Sequence, residues 1–264
     1  MIELRNLVKV FHDRKRGEIR AVDGISFRCS PGKIFGLLGA NGAGKTTTLR
    51  MLATLLRPTS GGGSVAGYDL LEEPEEVRTR IGFLSGTTAL YGRLSVRETL
   101  AYFGRLNGIE EDALKRRIDE LLQLLEMDSF ADGRCDRLST GQKQRVSIAR
   151  SIVHGPPVMV FDEPTSGLDV MSSRTIMRFI ERCRDDGRTV IFSTHIMSEA
   201  ERLCDEIAVI HDGRIADHGS LAELRRKTGH NALERVFLSI VGEDDPEFAE
   251  PSSQTGIDAR GERP

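Results

Sequence analysis

No apolar run in the 264 residues is long enough to cross a bilayer: the longest, at 34–40 and 158–161, fall far short of the roughly 20 residues a spanning helix needs. Glu3, Arg5 and Lys9 interrupt the opening stretch, so a secretory leader is not expected either, and the chain is expected in the cytoplasm. Cysteine is scarce and scattered. Cys29, Cys135, Cys183 and Cys204 form no CxxC pair and have no histidine at ligand spacing, which argues against zinc and for reduced, mostly buried thiols. An excess of positive charge is also missing: 37 Lys and Arg stand against 40 Asp and Glu, a net charge of −3, so generic electrostatic binding to nucleic acid is not expected. What is present is the composition of a folded globule, 39% hydrophobic and 29% charged, able to bury a sizeable core.

Strand-like runs come first, at 2–11, 20–28 and 33–38, and the third ends in a glycine-rich turn. A helix is expected at 45–56, where Leu49, Leu52 and Leu56 share a face and Pro58 stops it. Residues 59–67, rich in Gly and Ser, read as a turn into a short strand. From about 86 to 153 the periodicity is helical: Leu114, Ile118, Leu121 and Leu125 mark one helix, and Val146, Ala149 and Val153 another. Buried-strand patterns return at 158–161, 190–193 and 207–211 with helical patterns between them, the alternation of a parallel α/β sheet. Ser220 and Glu223 make a capping box for a late helix. Residues 242–264, rich in Pro, Ser, Gly and acids, are expected to be disordered.

Chemistry concentrates in two places. Gly39-Ala40-Asn41-Gly42-Ala43-Gly44-Lys45-Thr46 fits the phosphate-loop pattern GxxxxGK[ST] and lies between a predicted strand and a helix N-terminus. Glycines let backbone N–H groups wrap phosphates, the helix dipole adds to the attraction, Lys45 supplies a cation, and the Thr46 hydroxyl can ligate Mg²⁺. Gly39, Asn41, Gly42, Gly44, Lys45, Thr46 and the adjoining Thr47 are the candidate nucleotide-binding residues. The second place is the apolar strand at 158–161, which runs into two acids. Asp162 is positioned to hold a phosphate-bound magnesium, and Glu163 is the candidate base that polarises the attacking water. Two such acids alone would read as the start of a solvated loop; beside a phosphate loop they read as catalytic.

Between them lies Leu138-Ser139-Thr140-Gly141-Gln142. Ser139 and Gln142 form a capping box, and a helix N-terminus with the small Gly141 can receive an anion. The pentapeptide resembles the LSGGQ signature of ATP-binding-cassette (ABC) ATPases. Further marks follow in the family's order: Phe11 looks like the aromatic that stacks on adenine, Ser166-Gly167-Leu168-Asp169 resembles the D-loop, and Ser193-Thr194-His195 after an apolar strand resembles the switch histidine. The resemblance covers residues 1–229. It implies an α/β fold of the P-loop NTPase (ABC ATPase) type, with a parallel core sheet, an N-terminal antiparallel β subdomain and an α-helical subdomain inserted at about 86–153. Residues 230–241 are then a short C-terminal extension. It further implies ATP with Mg²⁺; Lys45, Glu163 and His195 in catalysis; Thr46 and Asp162 at the metal; and Ser139, Gly141, Gln142 and Asp169 at a nucleotide shared between two copies.

Two departures from the family pattern stand out. Gly86 occupies the position that usually carries the Q-loop glutamine, so Ser85, Thr87 or Thr88 substitutes through a hydroxyl, or the contact is absent. Thr140 replaces the first glycine after the signature serine. Residues 87–108 are similar to ATPase subunits of bacterial sodium-extrusion transporters. The implied function is ATP hydrolysis that powers export through a separate membrane permease, with sodium as a candidate cargo, in an ATP-dependent homodimer attached to the cytoplasmic face of the membrane. A drug or lipid exporter ATPase and a soluble ABC ATPase outside transport remain as alternatives, the latter weakened by the single cassette and the lack of a basic patch beyond Arg14, Lys15 and Arg16.

Overall fold

The computed structural model describes residues 1–15, 17–85 and 89–243. The chain begins with the long strands β1 (Ile2–Asp13) and β2 (Gly17–Cys29), then β3 (Ile34–Leu38), helix α1 (Lys45–Leu52), β4 (Ser60–Val65), β5 (Tyr68–Asp69), α2 (Pro74–Arg80) and β6 (Ile81–Leu84). A helical stretch follows, with α3 (Val96–Leu106), α4 (Glu111–Leu124) and α5 (Thr140–Ile152). Strand and helix then alternate through β7 (Val158–Asp162), α6 (Val170–Asp185), β8 (Thr189–Thr194), α7 (Met197–Leu203), β9 (Glu206–His211), β10 (Arg214–Gly219), α8 (Leu221–Thr228) and α9 (Leu233–Val241).

Two sheets result. The first is antiparallel in the order β2-β1-β4-β5; the second has the order β10-β9-β3-β8-β7-β6, parallel except for β10 at one edge. In the second sheet β3, β7 and β8 are buried along their whole length, which is why they read as continuous apolar runs. Strand alternation sorts their side chains. Phe35, Leu37, Val160 and Ile191 face α1 and the antiparallel sheet, in one core with Leu49, Ile2 and Val22. Met159, Phe161, Val190 and Phe192 face the other way, onto Val146 and Ile148 of α5 and Ile176 and Phe179 of α6. The functional loops therefore leave the carboxyl ends of β3, β7 and β8 side by side, where open α/β sheets bind ligands.

Local capping explains several helix starts. Ser95, Ser139 and Ser220 each accept the backbone N–H three residues on, while Glu98, Gln142 and Glu223 reach back to close the box.

Some expectations need revision. The helix expected at 45–56 ends at Leu52, because Thr54 turns left-handed at φ 57° and the Leu55 and Leu56 N–H groups fold back onto the Arg50 carbonyl. Pro58 therefore lies beyond the break instead of making it. Residues 68–84, apart from the loop expected near 86, carry β5, α2 and the edge strand β6, none of which the periodicity announced. The extension at 230–241 contains α9, whose Leu233 and Val236 are buried with Leu38, Ile207, Val209 and Leu224. Gly86, Thr87 and Thr88 lie outside the described residues, as do Arg16 and residues 244–264 of the expected tail. Among the described residues no helix is long and apolar enough to cross a membrane.

Candidate active site

At the end of β3 the chain wraps a small concavity of about 130 Å³, lined by Ala21, Asn41, Gly42, Gly44, Lys45, Thr46, Thr47 and Glu163. Gly44 precedes α1 with φ 107°, and a Cβ there would sit 2.6 Å from the Ala21 carbonyl oxygen, so no other residue fits. Among the described residues no side chain caps α1. The first N–H groups of a helix have no partner within it, and beside a glycine-rich loop they favour an anion.

Lys45 is only 4% exposed. Its ammonium donates to the carbonyls of Gly39 at 2.7 Å and Ala40 at 3.1 Å and pairs with Glu163 Oε1 at 3.2 Å. The other Glu163 oxygen lies 3.2 Å from His195 Nδ1. The carboxylate at the end of β7 is thus held between the phosphate-loop cation and the histidine that follows β8.

Asp162, nearly buried, accepts from Thr46 Oγ1 at 3.2 Å and from Ser193 Oγ at 2.7 Å. Thr46 and Asp162 present hard oxygen donors beside an uncapped helix start, the ligand chemistry Mg²⁺ takes when phosphate oxygens and waters complete its shell. Among the described residues no cluster of three or more His, Cys, Asp and Glu could hold a metal by itself. These two residues therefore fit a magnesium that arrives with phosphates.

The signature residues form a second cluster. Ser139 caps α5, and Asp169 caps α6, accepting from the Ser172 N–H at 2.9 Å and the Ser172 hydroxyl at 2.7 Å, bonds that hold its carboxyl below the usual carboxylate range. Gly141 is what lets the two helix starts touch: a Cβ there would lie 2.2 Å from Ser172 Oγ. None of Ser139, Gly141, Gln142 and Asp169 lines the phosphate-loop concavity of the same chain. Phe11 is also apart, near the tip of the β1–β2 hairpin, 40% exposed with Lys9 Nζ 5.3 Å from its ring centre.

Two contacts escaped the sequence reading. Ser193 Oγ donates to the Asp162 carboxylate and accepts the Glu163 backbone N–H, and Gln144 Nε2 donates to the Pro164 carbonyl at 2.7 Å, tying α5 to the turn after Glu163. A polar residue inside the apolar β8 was the signal for the first; nothing in the sequence pattern signalled the second.

Comparison with known proteins gives the family. A family model described as "ABC transporter" matches residues 22–166. The "ABC transporter ATP-binding protein NatA" of Bacillus subtilis (strain 168) is 40% identical over 240 residues, covering 90% of this chain and 97% of that protein. The "Daunorubicin/doxorubicin resistance ATP-binding protein DrrA" of Streptomyces peucetius is 39% identical over 232 residues, 88% of this chain and 69% of the relative. Among solved structures, a dimeric post-hydrolysis state of the ATP-binding cassette MJ0796 bound to ADP and Pi superposes with a TM-score of 0.76 at 26% identity. It covers 83% of this chain and 98% of that one.

Proposed function

Because the chain belongs to the ATP-binding proteins of ABC transporters, we propose that it works as one of two such subunits, hydrolysing ATP to drive export through a separate membrane permease. The observation that carries this reading is the position of Glu163, between Lys45 and His195 at the edge of the phosphate-loop concavity.

The ATPase domain in this reading spans 1–229, with the helical subdomain at about 86–153 inserted and 230–241 as its extension. Gly39, Asn41, Gly42, Gly44 and Thr47 surround the phosphates with backbone N–H groups, and Lys45 neutralises them. Glu163 accepts a proton from, or polarises, the attacking water; His195 orients the carboxylate and contacts the terminal phosphate. Thr46 and Asp162 would hold a magnesium ion, which would supply positive charge beside the phosphates. Phe11 offers a ring for the base to stack on.

One chain supplies only half of this site. Ser139, Gly141, Gln142 and Asp169 stand away from their own phosphate loop, which supports their serving the nucleotide of a second copy, with ATP closing the pair and hydrolysis releasing it. The same reading puts the chain at the cytoplasmic face of the membrane, held by the permease.

For the cargo, the likeness of residues 87–108 to sodium-extrusion ATPases supports sodium. The drug-resistance name of the Streptomyces relative supports a drug as the second reading. Vesicles containing the chain with its permease test both: ATP-driven movement of sodium supports the first, movement of an anthracycline the second. Co-purification with ribosomes or DNA in place of a membrane protein would overturn export altogether.

A further inference from the structure

Glu163 has a left-handed backbone, φ 48°, uncommon for a residue that carries a Cβ. Such a conformation persists only where the surroundings hold it from several sides. Its N–H is donated to Ser193 O at 3.2 Å and Ser193 Oγ at 3.0 Å, and its carbonyl accepts from the Ser166 N–H at 3.2 Å. The next carbonyl, that of Pro164, accepts from Gln144.

Ser193 does more than hold the backbone. A serine hydroxyl has one proton and two lone pairs. Here the proton goes to Asp162 Oδ1 at 2.7 Å while a lone pair receives the Glu163 N–H. The side chain is fully buried, so water cannot take either role. One hydroxyl therefore sets two neighbouring acids that sit on the same strand end but have different tasks.

We propose that Ser193 is a positioning residue for ATP hydrolysis, fixing Asp162 and Glu163 in one geometry, with Gln144 of α5 holding the far side of the same turn. The inference rests on the assignment of Asp162 and Glu163 given above. It also links the two clusters of the chain, because the helix that begins at Ser139 grips the turn that bears the base.

The test compares Ser193→Ala, Ser193→Thr, Gln144→Glu and Glu163→Gln in the full chain. The readouts are kcat for phosphate release, Kd for a fluorescent ATP analogue without metal, Mn²⁺ affinity by electron paramagnetic resonance with a non-hydrolysable ATP analogue, and melting temperature. Ser193→Ala is expected to lower kcat about tenfold or more and to weaken Mn²⁺ severalfold while nucleotide Kd stays within about twofold. Threonine at 193 keeps the hydroxyl and restores most of both. Gln144→Glu keeps the shape but loses the donor, and lowers kcat by a smaller factor. Wild-type kcat in Ser193→Ala would overturn the inference. So would a threonine variant as impaired and as destabilised as the alanine one, since that pattern marks packing alone. Full activity in Glu163→Gln would instead remove the site assignment itself, an outcome distinct from loss in Glu163→Gln beside an active Ser193→Ala.

Discussion

Lys45 Nζ stands 3.2 Å from Oε1 of Glu163, so the cation of the phosphate loop and the acid at the end of β7 share one short ion pair. The pair sets a competition. A γ-phosphate entering beside Lys45 meets the negative charge of Glu163 at close range, and relieving that charge should not weaken nucleotide binding. Glu163→Gln is therefore expected to bind ATP at least as tightly as the wild type while phosphate release falls by about 10²- to 10⁴-fold. Equilibrium binding of a fluorescent analogue and a phosphate assay measure the two sides; a tenfold loss of affinity would count against the arrangement.

The opposite partner gives the opposite result. Lys45→Ala removes a buried cation held by two carbonyls and deprives Glu163 of one of its two partners beside the concavity. A lost hydrogen bond to a charged group costs about 1.5–3 kcal/mol, so nucleotide affinity should drop by about 10- to 100-fold. Titration calorimetry reads this directly, and unchanged affinity would remove the phosphate-loop assignment.

Gly141 tests the contact between the two capped helices. A methyl group 2.2 Å from Ser172 Oγ and 2.8 Å from Ser172 Cβ forces α5 and α6 apart. Gly141→Ala should cost about 1–3 kcal/mol of stability by overpacking. Because α5 also holds Pro164, phosphate release should fall even at temperatures where the variant is fully folded.

What the amino-acid sequence reveals depends on length scale. β3, β7 and β8 were readable because a strand covered on both faces must be apolar throughout. The glycine-rich turn after β3 was readable because a backbone that turns through Gly44 at φ 107° against Ala21 tolerates few other sequences. β5, α2 and β6 were not, since two-, seven- and four-residue elements are too short to show a period. The end of α1 depended on the backbone of Thr54, which no side-chain pattern reports. Lys45, Glu163 and His195 could each be named from the chain. That Glu163 bridges the other two, and that Ser193 ties it to Asp162, needed three strand ends brought side by side.

Burial holds the His154 imidazole below its ordinary value, against a hydrogen bond to the Ile81 backbone that favours the charged form. The folded chain therefore takes up this proton less readily than the unfolded chain. The resulting stability is full above the unfolded value of about 6.5 and declines as pH falls through it toward the lower folded value. Between about pH 7.5 and 5.5 the melting temperature of the wild type should fall more than that of His154→Gln. Parallel curves for the two proteins would rule the effect out.

Burial also raises the thiols: Cys29 and Cys183 are each pushed up to about 12, and Cys204 is shifted the same way. Thiolate is the reactive form, so these three should react slowly with a disulfide reagent in the native protein and rapidly in denaturant. Rapid native reaction at any of them, mapped by mass spectrometry, would contradict the packing around it.

A catalytic site completed by a second copy of the chain around ATP requires a nucleotide-dependent dimer, which light scattering on Glu163→Gln measures. With ATP and Mg²⁺ the variant should run as a stable dimer, return to monomer when nucleotide is removed, and lose the dimer when Ser139→Ala and Gly141→Ala are added. A Glu163→Gln protein that is saturated with ATP and still monomeric would contradict a site shared between two copies.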